Sequence, residues 1–171
     1  MKEVKSKITK REQMILLLEK SGWQKGRYVD ISEFVQQCEE QGIELFASAK
    51  KFLEEFIGIE RYVHFKYIHP CNDIGESIPK YTFDFITKPN DKIDYEEDYQ
   101  EILDFIQEDC LYKGESGYYY PAVVAIGRSG KLYFKHDYDD KVQVFDNLID
   151  SMIWELEGKN IITSSLYKGD V

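Results

Sequence analysis

The side chains with which this chain could do chemistry are three histidines, three cysteines and 32 acidic residues. Their spacing argues against catalysis. His64 and His69 are five apart across the end of a strand pattern, which is not the one-turn separation of a helical metal pair, and His136 stands alone. No HExxH, GxSxG or GxxxxGK[ST] motif is present. Cys38, Cys71 and Cys110 are widely spaced with no CxxC pair, so neither a zinc ribbon nor thioredoxin-like redox chemistry is signalled. Cys71 sits in a polar loop and could act as a nucleophile only with a base beside it; an incidental loop thiol is the better account. Gly127-Arg128-Ser129-Gly130 is followed by a strand pattern rather than by the helix that phosphate cradling requires, so it reads as a turn. Asp137, Asp139 and Asp140 have the acidic spacing of a calcium loop but lack its central glycine and its distant glutamate. The expectation is a non-enzymatic protein with no catalytic set, no metal ligands and no cofactor.

What remains is a concentration of carboxylates among tyrosines. One predicted helix carries Glu96, Glu97, Asp98 and Glu101, and one predicted turn carries Asp137, Tyr138, Asp139 and Asp140. Acids in the last turn of a helix work against its dipole, which suggests a purpose other than helix stability. A solvated face is the plain reading of such a run. Interleaved tyrosine favours a second reading, a surface for a basic protein partner: charge steers the encounter and aromatic rings supply contact area. These eight residues form the candidate partner-binding set. The net charge of -10 agrees, since it disfavours sequence-independent binding to nucleic acid. The charge is uneven: residues 1–28 hold eight Lys or Arg and three Glu, a balance of +5, leaving -15 for the rest.

These groups must be positioned by a chain of 171 residues, 43% hydrophobic, a size and composition suited to one domain with a substantial core. Helical spacing of apolar residues predicts helices over about 9–21, 32–41 and 48–57, the first opened by a capping box at Thr9 and Glu12, the second by Asp30 with Glu33. Alternation then predicts strands over 61–68 and 81–86, separated by a loop containing Pro70, Asn72, Asp73, Gly75 and Pro79. A helix over 95–111 follows, with Asp94 and Glu97 as its capping box and Ile102, Leu103, Phe105 and Ile106 facing inward. Gly114 to Gly117 reads as a loop; 119–126, 131–136 and 142–145 read as an antiparallel meander with Pro121 marking a strand start or an edge. Asp146 caps a last helix to about Glu157, and 159–171 reads as a loose tail. Strands in runs rather than in alternation with helices indicate an α+β fold: one domain over 1–171, its core at about 9–158, with helices packed around a central antiparallel sheet. No signal peptide and no apolar segment of membrane-spanning length is evident, so the expected location is the cytoplasm, with no membrane partner.

The corner between the first two helices, Gly22-Trp23-Gln24-Lys25-Gly26-Arg27-Tyr28, is either a site or a joint. The joint is the favoured reading: Trp23 buried, and Arg27 bonded to a carbonyl or carboxylate of the same molecule.

Together with Phe52 to Ile59, Tyr120-Pro121, Ile126-Gly127, Gly130 to Tyr133 and the 148–158 helix, that corner resembles the SUKH superfamily of Smi1/Knr4-like proteins, and most closely its SUKH-3 immunity branch. Ile57-Gly58-Ile59 departs from the family pattern, which usually has a second glycine after the third helix. The resemblance implies a protein that neutralises a cognate protein toxin, often a basic nuclease, acting as a monomer or weak homodimer. It supplies no catalytic residues, and it marks Gly22, Trp23, Gly26, Arg27, Pro121 and Gly127 as fold determinants. The competing reading is a non-enzymatic interaction module with an endogenous housekeeping partner.

Overall fold

The computed structural model describes residues 8–68, 79–89, 93 and 95–169. His69, Cys71, Asp94 and most of the predicted loop before Pro79 lie outside the described residues. The chain runs α1 (Lys10–Lys20), α2 (Ser32–Glu40), α3 (Ala47–Phe56), β1 (Tyr62–Ile68), β2 (Lys80–Phe85), α4 (Glu96–Phe105), β3 (Cys110–Tyr118), β4 (Ala122–Gly127), β5 (Leu132–Lys135), β6 (Val142–Phe145), α5 (Leu148–Glu155) and β7 (Asn160–Lys168). The fold is α+β, as the residue pattern indicates. The seven strands form one antiparallel sheet in the order β6-β5-β4-β3-β2-β1-β7. Strands β1 to β6 therefore lie side by side in chain order, and the last strand returns to the far edge beside β1.

Alternation along the strands sorts the sheet into two faces. Val63 and Phe65 of β1, Tyr81 and Phe83 of β2, and Val124 and Phe134 further along pack in one cluster with Met14, Leu17 and Leu18 of α1, Phe52 and Phe56 of α3, and Leu148 and Met152 of α5. The opposite face is covered over β3 to β5, where Tyr112, Val123, Ala125 and Tyr133 meet Ile102 of α4. Helix α2 lies outside α3, through Phe34, Cys38 and Leu53.

The first helix begins as its residues dictate: Glu12 N–H donates to Thr9 Oγ1 at 3.1 Å and Thr9 N–H to Glu12 Oε2 at 2.8 Å. The box expected at Asp30 and Glu33 does not form. Ile31 occupies the N-cap without a side-chain cap, and Asp30 instead accepts the backbone N–H of Ser32 at 2.9 Å. Asn147 rather than Asp146 caps α5, accepting from Asp150 N–H.

Three larger expectations are corrected. The fourth helix ends at Phe105, not at 111, because Ile106 turns to the extended conformation. Its Ile102 is buried, while Leu103 and Phe105 face outward. The expected loop at 114–117 is part of a central strand, β3, paired to β2 on one side and β4 on the other. The glycines there permit close approach rather than a turn: a Cβ on Gly114 would stand 2.0 Å from the Asp84 carbonyl oxygen. The expected tail is β7, paired with β1 and anchored by buried Ile161. Its period is obscured by a register shift between His64 and Lys66, where Ser165 Oγ accepts the Lys66 N–H at 2.7 Å.

Candidate functional site

The tertiary fold brings the two acidic segments to one side of the sheet. Helix α4 crosses β4, β5 and β6 on the second face, and Asp140, in the acidic turn that joins β5 to β6, comes beside it. Glu101, Asp104 and Phe105 of the helix line a shallow groove with Asp140, Lys141 and Val142.

The eight candidate residues divide within this arrangement. Glu96 and Glu97 are exposed in the first turn of α4, where the helix dipole favours negative charge. Asp98 points inward. Its side chain is 12% exposed and its carboxylate is 3.5 Å from the ammonium of Lys135, itself buried in β5. Glu101 reaches the same ammonium at 3.5 Å but keeps 52% of its side chain exposed. Lys135 completes its coordination by donating to the His136 carbonyl at 2.8 Å. One buried cation thus ties α4 to the sheet, and Asp98 is unavailable to a partner. Asp137 and Asp140 are exposed. Asp139 organises the turn: it accepts from Lys141 N–H at 3.0 Å and Gln143 Nε2 at 3.3 Å, and the Lys141 N–H bond is the leading cause that holds its carboxyl below the usual range. Tyr138 is 65% exposed and lies with its ring 5.0 Å from that of His136.

Lys135, Asp104, Phe105 and Val142 belong to this region and were missed by residue pattern. Lys135 had a signal: it shares its strand face with Tyr133, so a lysine was pointed at the helix richest in acids. The other polar chemistry is internal. His136 is fully buried with Nε2 2.5 Å from Glu155 Oε1, and Glu155 Oε2 accepts the Tyr118 N–H at 3.2 Å, bracing α5 against the sheet. Gly127-Arg128-Ser129-Gly130 is a tight turn, with Gly130 N–H on the Gly127 carbonyl at 2.9 Å and Arg128 bound to Glu44 and Asp109. Pro121 stands immediately before β4. Among the described residues, no group of three or more His, Cys, Asp or Glu is placed to hold a metal ion, and no helix is long and apolar enough to cross a membrane.

The Gly22–Arg27 corner lies elsewhere, against the end of α3. Trp23 is buried and its indole N–H donates to Glu55 Oε1 at 3.0 Å. The Arg27 guanidinium donates to the Glu55 and Ile57 carbonyls at 2.6 and 2.7 Å, satisfying helix-terminal acceptors and placing positive charge at the negative end of the dipole. Gly22 has φ 101°, which lets the chain leave α1 without a Cβ clash. Trp23 and Arg27 thus direct these hydrogen bonds within the molecule, toward the end of α3.

Comparison with known proteins adds one match. Residues 10–153 fit the model of the SUKH-3 immunity protein family. No curated protein and no solved structure matches the chain.

Proposed function

The chain belongs to the SUKH-3 immunity protein family, and from that premise we propose that it blocks a basic, nuclease-like toxin by occlusion with its acidic side. An immunity protein acts by binding its cognate toxin, so the finer question is which surface binds and how. The observation that carries this reading is the meeting of Glu101, Asp104 and Phe105 with Asp140 at one groove, with Glu96 and Glu97 exposed in the first turn of the same helix; Tyr138 lies instead on the α5 side, against His136. Outward carboxylates there would take the positions of phosphates on a cationic nuclease surface, steering encounter and excluding nucleic acid. Asp98 is withdrawn from the contact set, since it serves Lys135.

The test is co-expression with the toxin encoded beside the gene, read as cell survival; death despite co-expression defeats the reading. Replacing Glu96, Glu97 and Asp140 by Lys should then slow association about 10-fold or more at low salt, with the difference shrinking as salt is added. Unchanged association at low salt would move the contact to another surface.

A further inference from the structure

The sheet has two edges, and they are built differently. β7 is nine residues long, carries the register shift at Ser165 and includes Lys168, features that discourage further pairing. β6 is Val142-Gln143-Val144-Phe145, with no proline, charge or bulge. Its free backbone groups follow from the ladder. Gly127 N–H donates to the Lys131 carbonyl at 2.9 Å, so Lys131, Tyr133 and Lys135 turn their backbone groups toward β4, while Leu132 and Phe134 turn theirs toward β6. Their partners Phe145 and Gln143 face β5, which leaves the N–H and C=O of Val142 and Val144 directed away from the sheet.

Side-chain chemistry differs on the two sides of this edge. On the α4 side, Val144 is 40% exposed and Val142 borders Glu101, Asp104 and Asp140, against which Lys141 is the single cation of the groove. On the α5 side, Phe145, Ile153 and Trp154 form an apolar floor on which Lys10 and Arg11 balance Asp150 and Glu157.

We propose that β6 is the docking edge for the toxin, which adds an extended segment as an eighth strand. Basic side chains would stand over Glu101, Asp104 and Asp140, and apolar side chains at the alternate positions over Phe145 and Trp154. Main-chain bonds supply affinity and the alternating side chains supply selectivity. A second copy of this chain is the poorer occupant: pairing β6 to itself would bring two sets of Glu101, Asp104 and Asp140 together, a like-charge juxtaposition. The proposal rests on the reading of the chain as a toxin-binding immunity protein.

The experiment uses the full chain and a catalytically disabled form of the toxin encoded beside its gene. Val144→Pro removes an N–H that no strand of this sheet uses, so it should leave the fold intact by circular dichroism and weaken binding at least about 10-fold. Hydrogen exchange on the unmutated protein reads the same question without a variant: the Val142 and Val144 amides should gain protection in the complex. Binding by V144P within twofold of the unmutated protein, or unchanged exchange at both amides, overturns strand addition while leaving the immunity reading in place. Failure of the unmutated chain to bind the toxin overturns both. A concentration-dependent dimer of the free chain that V144P abolishes would assign the edge to self-association and overturn the proposal.

Discussion

The corner at Trp23 and the acidic side at α4 carry the same kinds of group, aromatic rings, carboxylates and cations, and use them in opposite ways. At the corner the buried ring and the guanidinium are bonded within the molecule: the Trp23 indole to Glu55, and Nη1 and Nη2 of Arg27 to carbonyls at the end of α3, while Tyr28 is exposed. At the acidic side some carboxylates are matched within the molecule, among them Asp104 by Gln100 and Asp139 by Lys141 and Gln143, and others are not. Lys135 holds Asp98 and shares Glu101, while Glu96, Glu97 and Asp140 face solvent. The difference teaches where a chain with this composition stores stability and where it keeps groups for a partner. A cluster whose hydrogen bonds close internally specifies the fold. A cluster whose charge exceeds its internal partners has interaction capacity left over.

The strongest test of this contrast is Trp23→Ala, expected to cost about 3–5 kcal/mol because it removes a buried ring and leaves a cavity. Thermal or denaturant unfolding measures the loss, and the folded fraction should bind toxin normally. Loss of binding in fully folded protein would erase the distinction between the two regions.

Lys135→Met probes the boundary layer. It leaves Asp98 inside the structure without its cation, which should destabilise by about 3 kcal/mol. Adding Asp98→Leu should recover much of that in denaturant titrations. Because α4 loses its tie to the sheet, toxin affinity should fall too, unlike the corner variant. Affinity that survives K135M would show that the position of α4 is immaterial to binding.

Lys113 sharpens the comparison, because neither region supplies it with a carboxylate. It is buried in β3, its ammonium 5.8 Å from the centre of the Phe34 ring and near Cys38, and burial pulls its pKa from 10.5 down to about 8. Between pH 8 and 10.5 the folded chain releases this proton while the unfolded chain keeps it. The unfolded state then binds more protons, so stability should rise with pH in that window. Burial holds the Cys38 and Cys110 thiols above their ordinary range, which works in the opposite sense near pH 9, so the Lys113 contribution is read as the difference between the unmutated protein and Lys113→Met from pH 7 to 9.5. Lys113→Met should add about 2 kcal/mol at neutral pH and flatten the profile. A profile that Lys113→Met leaves unchanged in slope would contradict the assignment.

The helices of the N-terminal half were legible because their determinants are neighbours in the chain. Thr9 and Glu12 close a box three residues wide, and Met14, Leu17 and Leu18 share a face one turn apart. The alternation of Val63, Phe65 and Tyr67 likewise announced a strand and its core face. Two strands were not legible. The glycines that punctuate β3 look like turn residues until β2 is placed against them, and the bulge in β7 breaks the alternation by which strands are found.

For the site, the residues themselves placed acids in α4 and in the 137–140 turn, and favoured a joint over a site at Trp23 and Arg27. Only the tertiary structure decided that those acids share one side, that Asp98 turns inward to Lys135, and that β6 is left as an open edge. The physical reason is range. Caps and faces follow from bonds and contacts within a turn or two of the chain. Pairing a buried charge, or leaving a strand unpaired, depends on which distant segment arrives beside it. The lysine at position 135 was visible as a residue from the start; its role depended on a helix about 35 positions earlier folding back across the strand that holds it.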